Sequence, residues 1–481
     1  MSPDDDPNIG CLANSSFQII QGGMGAGISG WRLARAVSQN GALGVVSGTA
    51  MDTILVRRLQ LGDRDGHLKR AMENFPFPEI SDRVYDEYYI SGGKGPDVPF
   101  RRSGMFSVNA DQEILELAVL ANFVEVFLAK EGHDRPVGIN YLEKIQMPHL
   151  PSIYGAMLAG VDYVLMGAGI PRQIPAILDS LSSHKPVGYR LNVENLSPGS
   201  SVTMEFDPGV IGDEPAGLLR PEFFAIVSSA TLALTLAKKA SGKVNGFIVE
   251  GPTAGGHNAP PRGNYSLNEI GEPVYGVKDA VELDKIASTG LPYWLAGGYG
   301  SPGQLNQALA SGAAGIQVGT LFFLCDESDL DGTIKQEILN RPRAEDLAVY
   351  TDPIASPTGF PFKVLMMDGT NSEPSVYGAR ARTCDLGYLR VPYERPDGSI
   401  GYRCSGEPVE TYKKKGGPEN TAGRKCLCNG LMANIGLAQV RRTGLVEQPL
   451  LTAGNDINLV RYFLKEGTSY SAADVINYLT R

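Results

Sequence analysis

The 481-residue sequence predicts an α/β protein: a (β/α)8 barrel with an insertion near residues 60–110 and an appended C-terminal region. Three observations predict it. Short apolar, β-branched runs alternate with helical patterns along the chain. Eight such pairs occur before residue 345. The glycines, 58 of 481 residues, cluster where the apolar runs end. Continuous apolar strands joined by crossover helices form a parallel sheet buried on both faces. Eight units close into a barrel whose site lies at the strand C-terminal ends. An open doubly wound sheet alternates in the same way, and the count of eight favours the barrel.

The elements follow in order. An apolar run at 17–21 precedes a helix at 31–39 and a second run at 43–46. Amphipathic stretches at 51–74 and 110–130 flank a polar, Pro- and Tyr-containing segment. The third run, 137–140, precedes a helix near 150–159, and the fourth, 163–166, precedes one near 172–182. The fifth is 186–190, followed after an irregular piece by a helix at 222–240. The sixth, seventh and eighth are 246–249, 293–296 and 315–318, with helices at 279–288 and 303–311 between them. After about 345 the pattern changes. Residues 350–430 are rich in Pro, Gly, Tyr and charge, with a weak strand signal at 388–391. Helical patterns return at 431–442, 457–466 and 472–479. The expected division is a barrel over 1–365 and an appended region over 366–481.

Composition bounds the partners. Net charge is −10, from 43 basic and 53 acidic side chains. The only basic cluster, Lys413-Lys414-Lys415, is too short to track a nucleic acid. The N-terminus carries Asp4, Asp5 and Asp6 rather than the basic start of a secretory signal. The longest weakly polar run, 225–237, is shorter than the roughly 20 residues that span a bilayer, and it reads as a buried helix. Six cysteines make no disulfide framework in a chain of this length. The expectation is a cytoplasmic protein with no nucleic-acid or membrane partner.

Chemistry is expected in the loops after the strands. The first is Gln21-Gly22-Gly23-Met24-Gly25-Ala26-Gly27-Ile28-Ser29-Gly30. Residues 25–30 satisfy G-x-G-x-x-G, the dinucleotide fingerprint. That motif begins four residues past the strand, however, and no acid closes the second strand to hold a ribose. A loop that lets a planar ring lie against backbone is the favoured reading. Gly297-Gly298-Tyr299-Gly300 follows the seventh strand and Gln317-Val318-Gly319-Thr320 spans the end of the eighth. Glycine turns at these two positions are where barrels bind phosphate through backbone N–H groups. After the sixth strand comes Glu250-Gly251-Pro252-Thr253-Ala254-Gly255-Gly256-His257. His257 is one of five histidines and the one placed to exchange a proton near neutral pH.

Together these pieces resemble the nitronate monooxygenase (2-nitropropane dioxygenase) family of FMN-dependent (β/α)8, or TIM, barrels. The matching motifs are Ile20-Gln21-Gly22-Gly23-Met24, Ala254-Gly255-Gly256-His257, Ala296-Gly297-Gly298 and Gln317-Val318-Gly319-Thr320. The resemblance implies non-covalent FMN, held by Gly297, Gly298, Gln317, Gly319 and Thr320, with its phosphate on the loops after the seventh and eighth strands. It implies that His257 is catalytic and that Gly22, Gly23 and Met24 pass the flavin ring. Asn140, Glu250, Gly255 and Gly256 stand in flavin-contacting positions, and Arg190 is a weaker candidate for the flavin N1/O2 edge. Thr253 replaces an acid found in many relatives. Flavin-dependent enoyl reductases share the pattern. Two activities follow as expectations. The first is oxidation of an alkyl nitronate with O2 to a carbonyl compound and nitrite. The second is NAD(P)H-dependent reduction of an enoyl thioester of fatty-acid or polyketide synthesis. A relationship to IMP dehydrogenase is set aside, because no cysteine lies between Cys11 and Cys325 to serve as the barrel-loop nucleophile. The natural substrate and oligomeric state are not legible; a homo-oligomer is one alternative.

Cys384, Cys404, Cys426 and Cys428 fall in the appended region. Their spacing lacks the paired C-x2–4-C pattern of a four-thiolate zinc site. Metal binding and four ordinary thiols are both open readings.

Overall fold

The computed structural model describes residues 17–212, 217–341, 347–418, 420–464 and 468–481. Asp4 to Asp6, Cys11 and the end of the helix expected at 457–466 lie outside these residues.

Ten strands precede residue 320: β1 (Ile19–Gln21), β2 (Gly44–Ser47), β3 (Val137–Leu142), β4 (Tyr163–Gly167), β5 (Val187–Arg190), β6 (Thr203–Phe206), β7 (Glu222–Val227), β8 (Gly246–Glu250), β9 (Tyr293–Ala296) and β10 (Gly315–Val318). Eight of them form one parallel sheet in the order β1–β10–β9–β8–β7–β4–β3–β2. A parallel bridge between Ile20 and Leu43 joins β1 to the residue before β2. There the Gln21 N–H donates to the Leu43 carbonyl at 2.9 Å. The sheet is thus closed, as the count of eight strand–helix units predicts.

One barrel strand is not the one expected. Residues 187–190 do not enter the barrel. β5 pairs antiparallel with β6 as a separate hairpin, and its burial alternates, with Val187 and Tyr189 inside. The fifth barrel strand is β7, which the sequence reading absorbed into a helix at 222–240. The run from Phe223 to Ala237 is mostly apolar, broken only by Ser and Thr, so periodicity cannot divide a buried strand from a buried helix. Ser229 makes the division: its side chain accepts from the Leu232 N–H at 3.1 Å and caps the helix Ala230–Lys239.

The barrel interior is a small separate core built from alternate strand residues, including Ile20, Val45, Leu165, Phe224, Ile248 and Trp294. Trp294 stacks on Phe224 at 4.9 Å and on Phe17 at 5.5 Å, which fills the barrel below the site. A larger outer core joins the barrel, the insertion and the C-terminal region. The insertion supplies helices His67–Met72 and Pro78–Tyr88, packed on helix Gln112–Lys130.

Past the barrel, β11 (Val349–Asp352) and β12 (Phe362–Leu365) form one antiparallel hairpin. β13 (Val391–Glu394) and β14 (Ile400–Arg403) form another, with the first of these strands slightly later than the 388–391 signal. The helix expected at 431–442 is instead Leu427–Ala433; Gly436, at φ +71, lies in the αL conformation that ends helices. The 457 segment is a 3-10 helix, Ile457–Tyr462, and Ala472–Leu479 is helical as expected. No helix among the described residues is long and apolar enough to cross a membrane.

Candidate active site

The loop after β1 is held open by its own side chains. Buried Gln21 donates to Ser29 Oγ at 2.8 Å and accepts from the Val45 N–H at 3.0 Å. Ser29 Oγ in turn donates to the Gly22 carbonyl and accepts from the Met24 N–H. Gly23 approaches β3 so closely that a Cβ there would lie 2.6 Å from Asn140 Cβ. The close approach explains the glycine and leaves the Gly22–Met24 backbone facing the barrel mouth.

That mouth is a cavity of about 390 Å3, within the size range of small-molecule and cofactor sites. It brings together Gly22, Gly23, Met24, Asn140, Glu250, Gly255, Gly256, His257, Gly297, Gly298, Gln317, Gly319 and Thr320. Arg190 is the exception. It is exposed on the β5–β6 hairpin and does not line the cavity. Its backbone is instead bonded to the Gln173 side chain. Its assignment rested on a fifth barrel strand that β7 replaces.

Two titratable groups dominate one side. His257 Nε2 is 2.7 Å from Ser356 Oγ, and Ser356 is 2.8 Å from the Thr358 hydroxyl. The imidazole meets the edge of Phe362 at 4.9 Å. Residues 256–258 are laced to β12 by the bonds Lys363 N–H to Gly256 O and Asn258 N–H to Pro361 O, both 2.9 Å. Burial pushes the imidazole down to about 4, so His257 is neutral at pH 7. Glu250, the last residue of β8, is pushed up by burial to about 8. At pH 7 it is mostly a neutral acid able to donate. Among the described residues no Lys or Arg lines the cavity.

The other side is built from backbone. Gly297 and Gly298 have φ of +86 and +81, a conformation that favours glycine. The N–H groups of Gly298, Gly319 and Thr320 donate to no protein group among the described residues. Gln317 Oε1 and Thr49 Oγ1 are buried without a partner. Buried polar atoms in native structures are nearly always satisfied. Unspent donors and acceptors on a glycine-walled cleft therefore fit a bound planar group with a polar, anionic end.

The C-terminal region completes the wall, which sequence reading missed. Tyr388, Cys428, Met432, Thr452, Gly454 and Asp456 all line the cavity. The Tyr388 hydroxyl donates to buried Asp52 at 2.7 Å, and the Gly256 N–H donates to Thr452 Oγ1 at 2.9 Å. The one available signal was Thr452-Ala453-Gly454-Asn455-Asp456, a turn motif placed between apolar runs.

Cys384, Cys404, Cys426 and Cys428 line a second cavity of about 10 Å3 beside the first. That is close to the smallest space that holds one water. Among the described residues no group of three or more His, Cys, Asp or Glu is disposed to hold a metal ion.

The fold and site define a closed parallel (β/α)8 barrel with a glycine-walled cleft over the strand ends. Residues 220–354 match the family model described as nitronate monooxygenase. The resemblance that the motifs carry is thus found in the segment holding Glu250, His257 and the two turns after β9 and β10. Two curated relatives are (3aS,4S,5R,7aS)-5-hydroxy-7a-methyl-1-oxo-octahydro-1H-indene-4-carboxyl-CoA dehydrogenases. The Mycobacterium tuberculosis protein is 26% identical over 48% of this chain and 64% of its own length. The Rhodococcus jostii protein is 32% identical over 31% of this chain and 36% of its own length. The chain therefore matches less than two thirds of either relative. Similar solved structures include FabK from Thermotoga maritima, at TM-score 0.48 and 15% identity over 97% of this chain and 93% of that one. Nitroalkane oxidase from Streptomyces ansochromogenes is similar at TM-score 0.45 and 15% identity, over 96% and 94% of the two chains.

Proposed function

We propose that the chain is an FMN-dependent oxidoreductase that acts at the carbons next to a thioester carbonyl. The observation that carries the reading is the charge state of the cavity wall. His257 and Glu250 are both held neutral at pH 7 by burial, and among the described residues no Lys or Arg lines the cavity. Such a wall suits an uncharged reacting group and offers hydrogen-bond donors to its carbonyl oxygen. Two curated relatives named as CoA-thioester dehydrogenases support the same substrate class.

FMN bound along Gly22–Met24 and Asn140 would supply the electron-transfer chemistry. Gly297, Gly298, Gly319 and Thr320 would hold its phosphate through backbone N–H groups, and Gln317 would face its ring. This chain's own residues do the rest. Glu250 donates a proton or a hydrogen bond at its carboxyl. His257 is oriented through Nε2 by the buried Ser356 hydroxyl and can accept or return a proton. Phe360 and Phe362 give the mouth an apolar rim.

Nitronate oxidation, first in the sequence reading, is the second reading, favoured by the family model over residues 220–354. Anaerobic mixing separates the two. NAD(P)H is expected to bleach the visible absorption of the FMN-loaded protein, and an enoyl-CoA to restore it. Bleaching by an alkyl nitronate but not by NAD(P)H would reverse the order.

A further inference from the structure

The uncharged wall beside Glu250 and His257 suits a reacting thioester but not a charged tail. Burying a phosphate there costs free energy that no cation returns. A charged tail is therefore held at the rim, and one arc of the rim carries cations. Lys144, two residues past β3, is exposed, and its Nζ stands 5.8 Å from the centre of the Phe360 ring, which lines the cavity. Arg172, past β4, is also exposed, and its N–H donates to the Ile170 carbonyl at 2.8 Å. Ile170 lines the cavity yet is 55% exposed, which marks an opening on this side. Arg262 is exposed, and its guanidinium donates to the carbonyl of Ser228, the cavity residue that follows β7.

The three positions share one side of the barrel. β7, β4 and β3 are consecutive in the sheet, so their C-terminal ends form a single arc. The turns after β9 and β10, whose N–H groups suit a flavin phosphate, lie across the mouth. β8 and β7 separate them from β4 and β3 on one side, and β1 and β2 on the other. The cations are thus placed away from that phosphate and open to a second anion.

Their charges are unspent. None of the three forms an ion pair with a described residue. Arg172 Nε donates to the Lys239 carbonyl at 3.3 Å, and Arg262 to the Lys278 carbonyl at 3.1 Å. Carbonyls orient a guanidinium without neutralising it. Two acids lie nearby, and both have other donors. Buried Glu143 accepts from Gln146 and Tyr189, and Asp279 accepts from the backbone N–H groups of Arg262 and Gly276. Ammonium and guanidinium groups bind phosphate through charge-assisted hydrogen bonds.

We propose that this arc is the phosphate subsite for a coenzyme A thioester. Lys144, Arg172 and Arg262 bind the phosphates of the nucleotide at the rim. The pantetheine arm passes Ile170, Leu232 and Phe360 and brings the thioester to Glu250 and His257. The proposal rests on the thioester reading, and it adds that the nucleotide outside the cavity decides which thioesters are accepted.

The test is isothermal titration of the purified full-length protein with butyryl-CoA and with S-butyrylpantetheine, which share an acyl thioester and differ in the nucleotide. Wild type is expected to bind the CoA form about tenfold or more tightly in dilute buffer, with the margin shrinking at about 0.5 M salt. Lys144→Ala, Arg172→Ala and Arg262→Ala are each expected to weaken the CoA form about threefold to fivefold and to leave the pantetheine form level. Thermal melting checks folding. If Arg262→Ala does not fold, Lys144→Glu with Arg172→Glu, at two exposed positions, repeats the comparison. Equal wild-type affinity for the two ligands overturns the proposal. So does equal weakening of both by the substitutions, because the side chains would then shape the mouth rather than bind phosphate. Failure of wild type to bind either ligand overturns the thioester reading itself.

Discussion

Glu250 and His257, seven residues apart, are both neutral at pH 7 for the same reason: burial in the cleft disfavours each charged form. The consequences for stability have opposite signs. Glu250 keeps its proton up to about pH 8 when folded but loses it near 4.5 when unfolded. The folded state therefore binds more protons across that window, and stability falls as pH rises through it. For His257 the unfolded chain binds more protons between about 4 and 6.5, so stability falls as pH drops through that window. Glu250→Gln is expected to flatten the alkaline side. Its apoprotein should gain on the order of 2–4 kcal/mol over wild type at pH 8 and little at pH 5, read by urea unfolding. An equal effect at both pH values would contradict the neutral-acid assignment. Both residues were legible in the sequence because each sits in or beside a glycine motif at a strand end. Ser356 and Tyr388 were not. Their positions in the site come from contacts across 99 residues to His257 and 336 residues to Asp52, and no local pattern encodes such contacts.

At the scale of elements, seven of the eight barrel strands follow from short apolar runs, and the eighth shows where pattern reading stops. β5 reads Val-Gly-Tyr-Arg, an alternation that belongs to a sheet covered on one side. β7 and its helix read as one apolar stretch. The boundary between them is a single capping hydroxyl. Ser229→Ala is expected to cost about 1 kcal/mol in chemical denaturation, with near-native structure retained. A cost near zero would mean that packing alone ends the strand. The register of β7 carries more than local stability. It places Phe224 on Trp294 inside the barrel and Ser228 at the cavity, and it moves Arg190 out of the site.

The whole molecule closes its cleft with residues far from the barrel in sequence. The Leu365 N–H donates to the Leu451 carbonyl and the Lys425 N–H to the Ala355 carbonyl. The buried Arg57 guanidinium donates to the Leu437 carbonyl at 2.6 Å. Asp52 and Thr53 both bond Tyr388. Removing residues 366–481 would leave buried polar and charged groups without partners and expose one face of a shared core. A chain ending at 365 is therefore expected to lose cooperative thermal unfolding, and a folded truncated barrel would contradict this. Composition announced many tight loops, and the barrel gathers a large part of them at one mouth. What it left unread is that the Pro- and Gly-rich tail is the far wall of the same cavity. This cavity is proposed to hold a flavin. The most direct measurement is the visible absorption spectrum of the purified full-length protein, with the small molecule released on denaturation identified. Flavin bands and released FMN are the predicted result. A colourless protein that takes up no added FMN would contradict it.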